Sequence, residues 1–378
     1  MTVLPFTAFG LFGFMYGVWQ VLLAELQRSK GLSDGALGAA ITIGFVGSIP
    51  SMFFGGKLVD RFGAERVISS TAGLMAFALA GVAIAANWWA LTILLFFFFG
   101  GSGAYDVGIN AAAIDLEQAT GRRFLSYIHG TFSGAAAFGA LTAGLLLSLG
   151  MQFRSIYVGL ALMLLVAAAI FLKAPVLRHL RTNPASDGTS RELLLDLRLI
   201  SLAVMVAMAY FGEGSLENWS TIYLRDFVNL PVALGASGVV VFHLAMQTGR
   251  MTSGIAVGLL GRRCILIGAG LITACGILLA TTIKTAPTVL VGFFVAGITL
   301  SVVAPLAFSI AGDLYPTRSG SASAIITFIG YSAFLLGPGL IGGLAQAFGL
   351  DIALGMIMLG GLLISILSFR SSWISSKG

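Results

Sequence analysis

The sequence predicts an all-α membrane protein with twelve transmembrane helices, laid out as two six-helix halves. Three observations predict it. Of 378 residues, 58% are hydrophobic and only 10% charged, against about 25% charged in an ordinary soluble domain. Apolar runs of twenty or more residues recur from end to end, each enough to cross a hydrocarbon layer about 30 Å thick. One long polar interval, APVLRHLRTNPASDGTSRELLLDLR at 174–198, divides the chain near its middle. An outer-membrane barrel would instead show segments of about ten residues with alternating polarity.

The spans fall at about 3–24, 35–58, 67–86, 88–112, 124–148, 152–173, 199–219, 233–256, 264–283, 287–311, 320–345 and 350–370. The first has no basic leader and no small-residue cleavage site before it, so it reads as a retained helix. The even-numbered connections and the C-terminal tail hold 16 of the 21 Lys and Arg residues, and the odd-numbered connections hold 5. The positive-inside rule then places both termini in the cytoplasm. The net charge of +6 therefore reports topology and calls for no nucleic-acid partner. Residues 1–173 form the N-terminal bundle, 174–198 a cytoplasmic linker and 199–378 the C-terminal bundle. The linker carries the turn signals Pro175, Asn183-Pro184 and Asp187-Gly188. Its end, SRELLLDLR, reads as a short amphipathic helix on the membrane surface.

Polar residues inside the spans are the candidate site, because a charged side chain at the bilayer centre costs about 2.5–3.5 kcal/mol and avoids lipid. In the first span, Tyr16, Trp19, Gln20 and Glu25 are placed to line an outer cavity. In the fourth, Asp106 and Asn110 share a face at i, i+4. His129, early in the fifth, falls at a similar depth. Together they make either a proton or substrate site or a polar network joining two helices. Glu213 sits deep in the seventh span between Gly212 and Gly214, which predicts a bent or broken helix there. Glu217, Asn218 and Trp219 read as nearer the outer interface, and Arg225 and Asp226 as solvated loop residues. His243 and Gln247 share a face of the eighth span, and Tyr331 is central in the eleventh. Glycines of the fifth and eleventh spans suit close helix crossing, and Pro305 and Pro338 suit kinks.

The three histidines lack metal-ligand spacing, so no metal is expected. Cys264 and Cys275 share the ninth span and are not a disulfide pair. No phosphate-binding G-x-x-x-x-G-K-[ST] is present, so no cofactor or nucleotide is expected and energy must come from a gradient.

The loop after the second span reads Gly56-Lys57-Leu58-Val59-Asp60-Arg61-Phe62-Gly63, followed by Arg66; after the eighth span come Gly249-Arg250 and Gly261-Arg262-Arg263. Gly56 and Gly249 are 193 residues apart, about half the chain, an internal repeat. It implies halves of like orientation around a central cavity. The first loop resembles the G-x-L-a-D-R-x-G signature of the major facilitator superfamily, though only one basic residue, Arg66, follows, and the second copy has Gly254 where an aspartate is common. Asp106-Val-Gly-Ile-Asn110, Gly212-Glu213-Gly214-Ser215 and Gly330-Tyr331 resemble the YbjJ-like group of bacterial inner-membrane proteins.

The resemblance implies a multi-pass transporter of the bacterial inner membrane, with the Asp60 loop docking at the start of the eleventh helix as a gate. Gating is assigned to Gly56, Asp60, Arg61, Gly63, Arg66, Gly249 and Arg250. With the buried acids it leads to a secondary transporter moving a small polar solute by alternating access, with protons coupled through Asp106 and Glu213. Substrate contact is assigned to Asn110, His129, His243, Gln247, Tyr331, Tyr16, Gln20 and Asn218. The partners are then solute, protons and the lipid bilayer, and the protein is expected to be a monomer. Twenty-eight phenylalanines keep open a proton-driven exporter of hydrophobic or cationic compounds. A non-transporting receptor on the same fold would need a large soluble domain. An enzyme would need a clustered metal site or a nucleophile–base pair, and none stands out.

Overall fold

The computed structural model describes residues 3–121, 125–173 and 191–374. Among the described residues, twelve helices are long and apolar enough to cross a membrane: Leu4–Lys30, Asp34–Phe62, Ala64–Ile84, Trp88–Thr120, Tyr127–Ser148, Phe153–Leu172, Leu197–Asp226, Val232–Leu260, Arg262–Thr282, Ala286–Leu314, Ser319–Phe348 and Leu350–Arg370. Several overrun the bilayer. The fourth, at 33 residues, is about 50 Å long at 1.5 Å per residue, longer than a hydrocarbon layer about 30 Å thick.

Local chemistry explains the ends. Ser33 caps the second span by accepting from the Ala36 N–H at 3.2 Å, and Asn87 caps the fourth by accepting from Ala90 at 2.9 Å. The second span breaks between Val46 and Ser48. Pro50 explains the break: without an N–H it leaves the Val46 carbonyl without its helical donor. Pro305 and Pro338 do not have that effect, and their helices run unbroken. Gly63 joins the second and third spans at φ +89°, ψ 151°, and Gly261 joins the eighth and ninth at φ +79°, ψ 156°. Both are conformations that only glycine adopts without strain.

These two glycines fix the register of the internal repeat at 198 residues, so Gly56 matches Gly254 and not Gly249. They also move the motif residues. Gly56, Asp60 and Arg61 are in the last turns of the helix Ser48–Phe62, and Gly249 and Arg250 lie inside the helix Ser237–Leu260, ten or more residues before its end. Arg250 is therefore a residue of the span, not of the connection.

The chain divides into two compact units, Met1–Arg181 and Thr182–Gly378. In the first, span one packs on five, two on four, and three on four and six. In the second, seven packs on eleven, eight on ten, and nine on ten and twelve, the same scheme six spans later. Small residues permit the tightest crossings. A Cβ on Gly13, Gly17 or Gly139 would strike the backbone of Phe132, Ala136 or Phe14, respectively, so spans one and five touch through main chain. Gly130 faces open space instead. Gly212 packs on Leu300 and Ile357 and Gly214 on Phe334, within a continuous helix from Leu197 to Asp226. The expected break at Glu213 is absent because these glycines make room for neighbours.

Of the linker, 174–190 falls outside the described residues. Arg191–Leu195 is a short helix with Leu193 buried and Leu195 exposed. Asp196 then caps the seventh span, accepting from the Arg198 N–H at 2.9 Å, and Tyr315 Oη donates to it at 2.6 Å. The Arg198 side chain, bonded to Asp196, holds that carboxyl well below the usual range, with Tyr315 adding to the effect. Burial, with the bond to Asp196, pushes the Tyr315 phenol up to about 12. Cys264 and Cys275 are both free.

Candidate functional site

In the C-terminal unit, the polar residues of spans seven and eight form a ladder with two rungs. Glu213 and Glu217 are one turn apart, and His243 and Arg250 are seven residues apart, so each pair shares one helical face. Arg250 Nη2 reaches Glu213 Oε1 at 3.3 Å. His243 Nε2 stands 3.9 Å from Glu217 Oε1, beyond hydrogen-bond length. The His243 and Glu217 side chains are 1% and 9% exposed, whereas those of Arg250 and Glu213 are 30% and 16% exposed. One rung is sealed and the other retains an open flank. Arg250 acts electrostatically on Glu213, Glu217 and His243 together.

Two of these four residues escape the sequence reading in their proper role. Arg250 reads as a loop cation because a glycine precedes it, and Glu217 as an interface residue because it lies late in its span. Their spacing was the available signal: i, i+4 for the acids and i, i+7 for the bases. Asn218 is buried, and its Nδ2 donates to the Gly214 carbonyl at 2.7 Å, one turn back. Gln247 is half-buried, one turn beyond His243. Tyr331 stands edge-on to Tyr210 at 5.5 Å and 6.5 Å from Phe334. Arg225 is buried rather than solvated; Gly235 packs directly on its side chain, where any Cβ would collide.

In the N-terminal unit, spans one and four run antiparallel in a register that the contacts define. Trp19 meets Phe98 and Phe99, Tyr16 Oη lies 2.6 Å from Ser102 Oγ, and Phe12 stacks on Tyr105 at 5.0 Å. Continuing that register sets Asp106 level with Phe12, and Asn110 level with Phe9 one turn further. Asp106 and Asn110 are half-buried and bonded to each other: Asn110 Nδ2 donates to the carboxylate at 3.0 Å and to the Asp106 carbonyl at 2.9 Å. From span five, Phe132 lies 5.8 Å from Phe12 and 6.3 Å from Tyr16. His129 is exposed, with its ring edge-on to Phe9 at 5.0 Å, at the level of Asn110. Gln20 is fully buried.

Asp60, Arg61 and Arg66 are exposed, Gly56 half-buried and Gly63 the turn between helices. Gly249 lies against the Ile298 carbonyl and Ser301 of span ten, where any Cβ would collide. No group of three or more His, Cys, Asp or Glu residues suited to a metal occurs among the described residues.

Known proteins match this architecture. Over 354 residues the chain is 29% identical to an uncharacterized MFS-type transporter of Yersinia pestis, covering 93% of this chain and 91% of that one. It is 26% identical to membrane protein MosC of Rhizobium meliloti, covering 94% and 86%, and 28% identical to an uncharacterized transporter of Sinorhizobium fredii, covering 95% of both. Among solved structures, the nucleoside transporter NupG superposes with a TM-score of 0.81 at 12% identity, covering 97% of this chain and 98% of that one. A bacterial homolog to the human lysosomal transporter Spinster gives 0.75 at 14% identity, covering 98% and 96%. At such identities the structures establish the fold. Residues 5–338 match the Major Facilitator Superfamily, and the chain belongs to it: a multi-pass membrane transporter, not an enzyme.

Proposed function

We propose that this transporter couples uphill movement of a small polar solute to protons by alternating access, with the ladder of spans seven and eight as the proton site. The observation that carries the reading is the charge imbalance of that ladder. Two carboxylates, Glu213 and Glu217, face one guanidinium that stays charged at any relevant pH. With His243 neutral the four groups sum to −1, and one added proton brings them to zero. Glu213 is matched by Arg250, so the proton belongs to the sealed rung, on Glu217 beside His243. An uncompensated charge is costly in a membrane interior. Closing the ladder to water then goes with proton uptake, and opening it with release.

The sequence assigns coupling to Asp106 and Glu213. The geometry favours a division instead: Glu213 holds Arg250 in place, Glu217 with His243 carries the proton, and Asp106 belongs to a solute site on spans one, four and five. The placement in the YbjJ-like group and the cytoplasmic termini remain part of this proposal. The experiment is proteoliposome uptake of a solute panel under an imposed pH gradient. Wild type accumulates its solute only with the gradient. Glu217→Gln loses accumulation but keeps exchange of labelled for unlabelled solute; full gradient-driven uptake by Glu217→Gln sinks the reading.

A further inference from the structure

We infer that the solute carries a positive charge, an amine or quaternary ammonium group, held by Asp106 against the rings of Tyr16 and Phe132, with Phe12 packed behind them. The inference rests on the reading of the chain as a transporter and adds the chemistry of what it carries.

The first step is electrostatic. Asp106 lies mid-span and has one polar partner among the described residues, the neutral Asn110 at 3.0 Å. The spans around it hold no fixed cation near that depth. Residues 3–24, 35–56, 67–112 and 125–148 contain no Lys or Arg, and His129, one turn away beside Phe9, is the only basic side chain among them. The C-terminal unit differs, because there Arg250 matches Glu213. A half-buried carboxylate with no Lys or Arg at its depth in these spans of its own unit is poised to receive a cation.

The second step is the surrounding surface. Phe12, Tyr16 and Phe132 lie within 6.3 Å of one another, centroid to centroid. Phe12, buried and stacked on Tyr105, backs this surface and is level with Asp106 by the register of spans one and four. Tyr16 and Phe132 are half-buried, so they keep accessible area. Ring faces attract cations within about 6 Å of the centroid, by about 0.5–2 kcal/mol. Carboxylate and rings thus select the same feature of a ligand. A neutral polyol would use the hydroxyls of Ser102 and Tyr16, yet these are already paired with each other at 2.6 Å.

The third step is size. Tyr16–Ser102 closes one end of the site and Asn110 with His129 bounds the other, two helical turns away. Two turns are about 11 Å, a span that a small head with a short polar tail would match.

The test is calorimetric titration of the purified full-length protein in detergent, without a gradient, using pairs that differ only in charge. Choline is compared with 3,3-dimethylbutan-1-ol, its uncharged carbon isostere, and phenethylamine with 2-phenylethanol. The cation of at least one pair binds tenfold or more tighter than its neutral partner. Asp106→Asn removes that preference, Asp106→Glu keeps it, and Phe132→Leu weakens the cation by about twofold to thirtyfold, the range that loss of one cation–ring contact gives. Equal binding of the neutral compounds, no binding of either cation, or an undiminished preference in Asp106→Asn overturns the inference. If Asp106→Asn does not fold, the Asp106→Glu and Phe132→Leu titrations decide alone. A neutral solute accumulated by protons would sink this inference and leave proton coupling standing. Cation binding without proton-driven flux would do the reverse.

Discussion

Arg250 crosses from the eighth span to meet Glu213 of the seventh at 3.3 Å, joining two helices of one half through opposite charges inside the membrane-spanning region. A pair in that position costs desolvation of both ions and repays it only while both are present. Removing one partner is therefore worse than removing both. Arg250→Met or Glu213→Met alone should lower stability by about 1–3 kcal/mol, less than the 3–5 kcal/mol of a fully buried pair because both side chains keep some exposure. The double variant should recover most of the loss. Denaturant unfolding in detergent micelles, read as a double-mutant cycle, checks this; additive losses would mean the two side chains do not interact.

His243 offers a separate handle on coupling. His243→Asn keeps a polar side chain beside Glu217 but cannot take up a proton. Gradient-driven accumulation should fall at least tenfold while gradient-free exchange persists. Loss of both in parallel would indicate a structural role.

The crossing of spans one and five yields predictions of opposite sign. A Cβ at Gly17 would meet the Ala136 carbonyl, so Gly17→Ala should cost about 1–3 kcal/mol through overpacking. Gly130 faces open space, and Gly130→Ala should stabilise by about 0.5–1 kcal/mol through helix propensity. Thermal unfolding of the two variants checks the contrast.

Asp196 supplies a pH dependence outside the spans. Its folded-state pKa is depressed, chiefly by the Arg198 bond. Its contribution is therefore full above the unfolded value of about 3.9 and is lost as pH falls below that. Asp196→Ala should cost about 1 kcal/mol at neutral pH, as for a lost helix cap. The gap to wild type should narrow in acid, which thermal shifts at a series of pH values would show.

The fold was legible because the bilayer imposes its length on every apolar run, and the twelve helices follow those runs, although the first, fourth and seventh run six to eight residues past their expected ends. Asp106 and Glu213 were legible as isolated acids in apolar surroundings. Their partners were harder to read. Arg250 looked like a loop residue because the eighth helix runs about 15 Å past it to Leu260, and a cation there could belong to either environment until Glu213 supplied its charge. The break expected at Gly212 and Gly214 did not form, since sequence cannot tell a glycine that bends a helix from one that admits Leu300 or Phe334. The Phe12–Tyr16–Phe132 surface depends on the register of three helices, which no single run of residues contains.

The proton site of Glu217 and His243 is tested most directly by infrared difference spectra of the purified protein across a pH titration, where carboxyl and imidazole bands are resolved. The wild-type protein should show a titrating band from this pair that disappears in Glu217→Gln, changes in His243→Asn and persists in Asp106→Asn. A titrating band that survives Glu217→Gln unchanged, or that vanishes only in Asp106→Asn, would place the proton elsewhere and contradict the account.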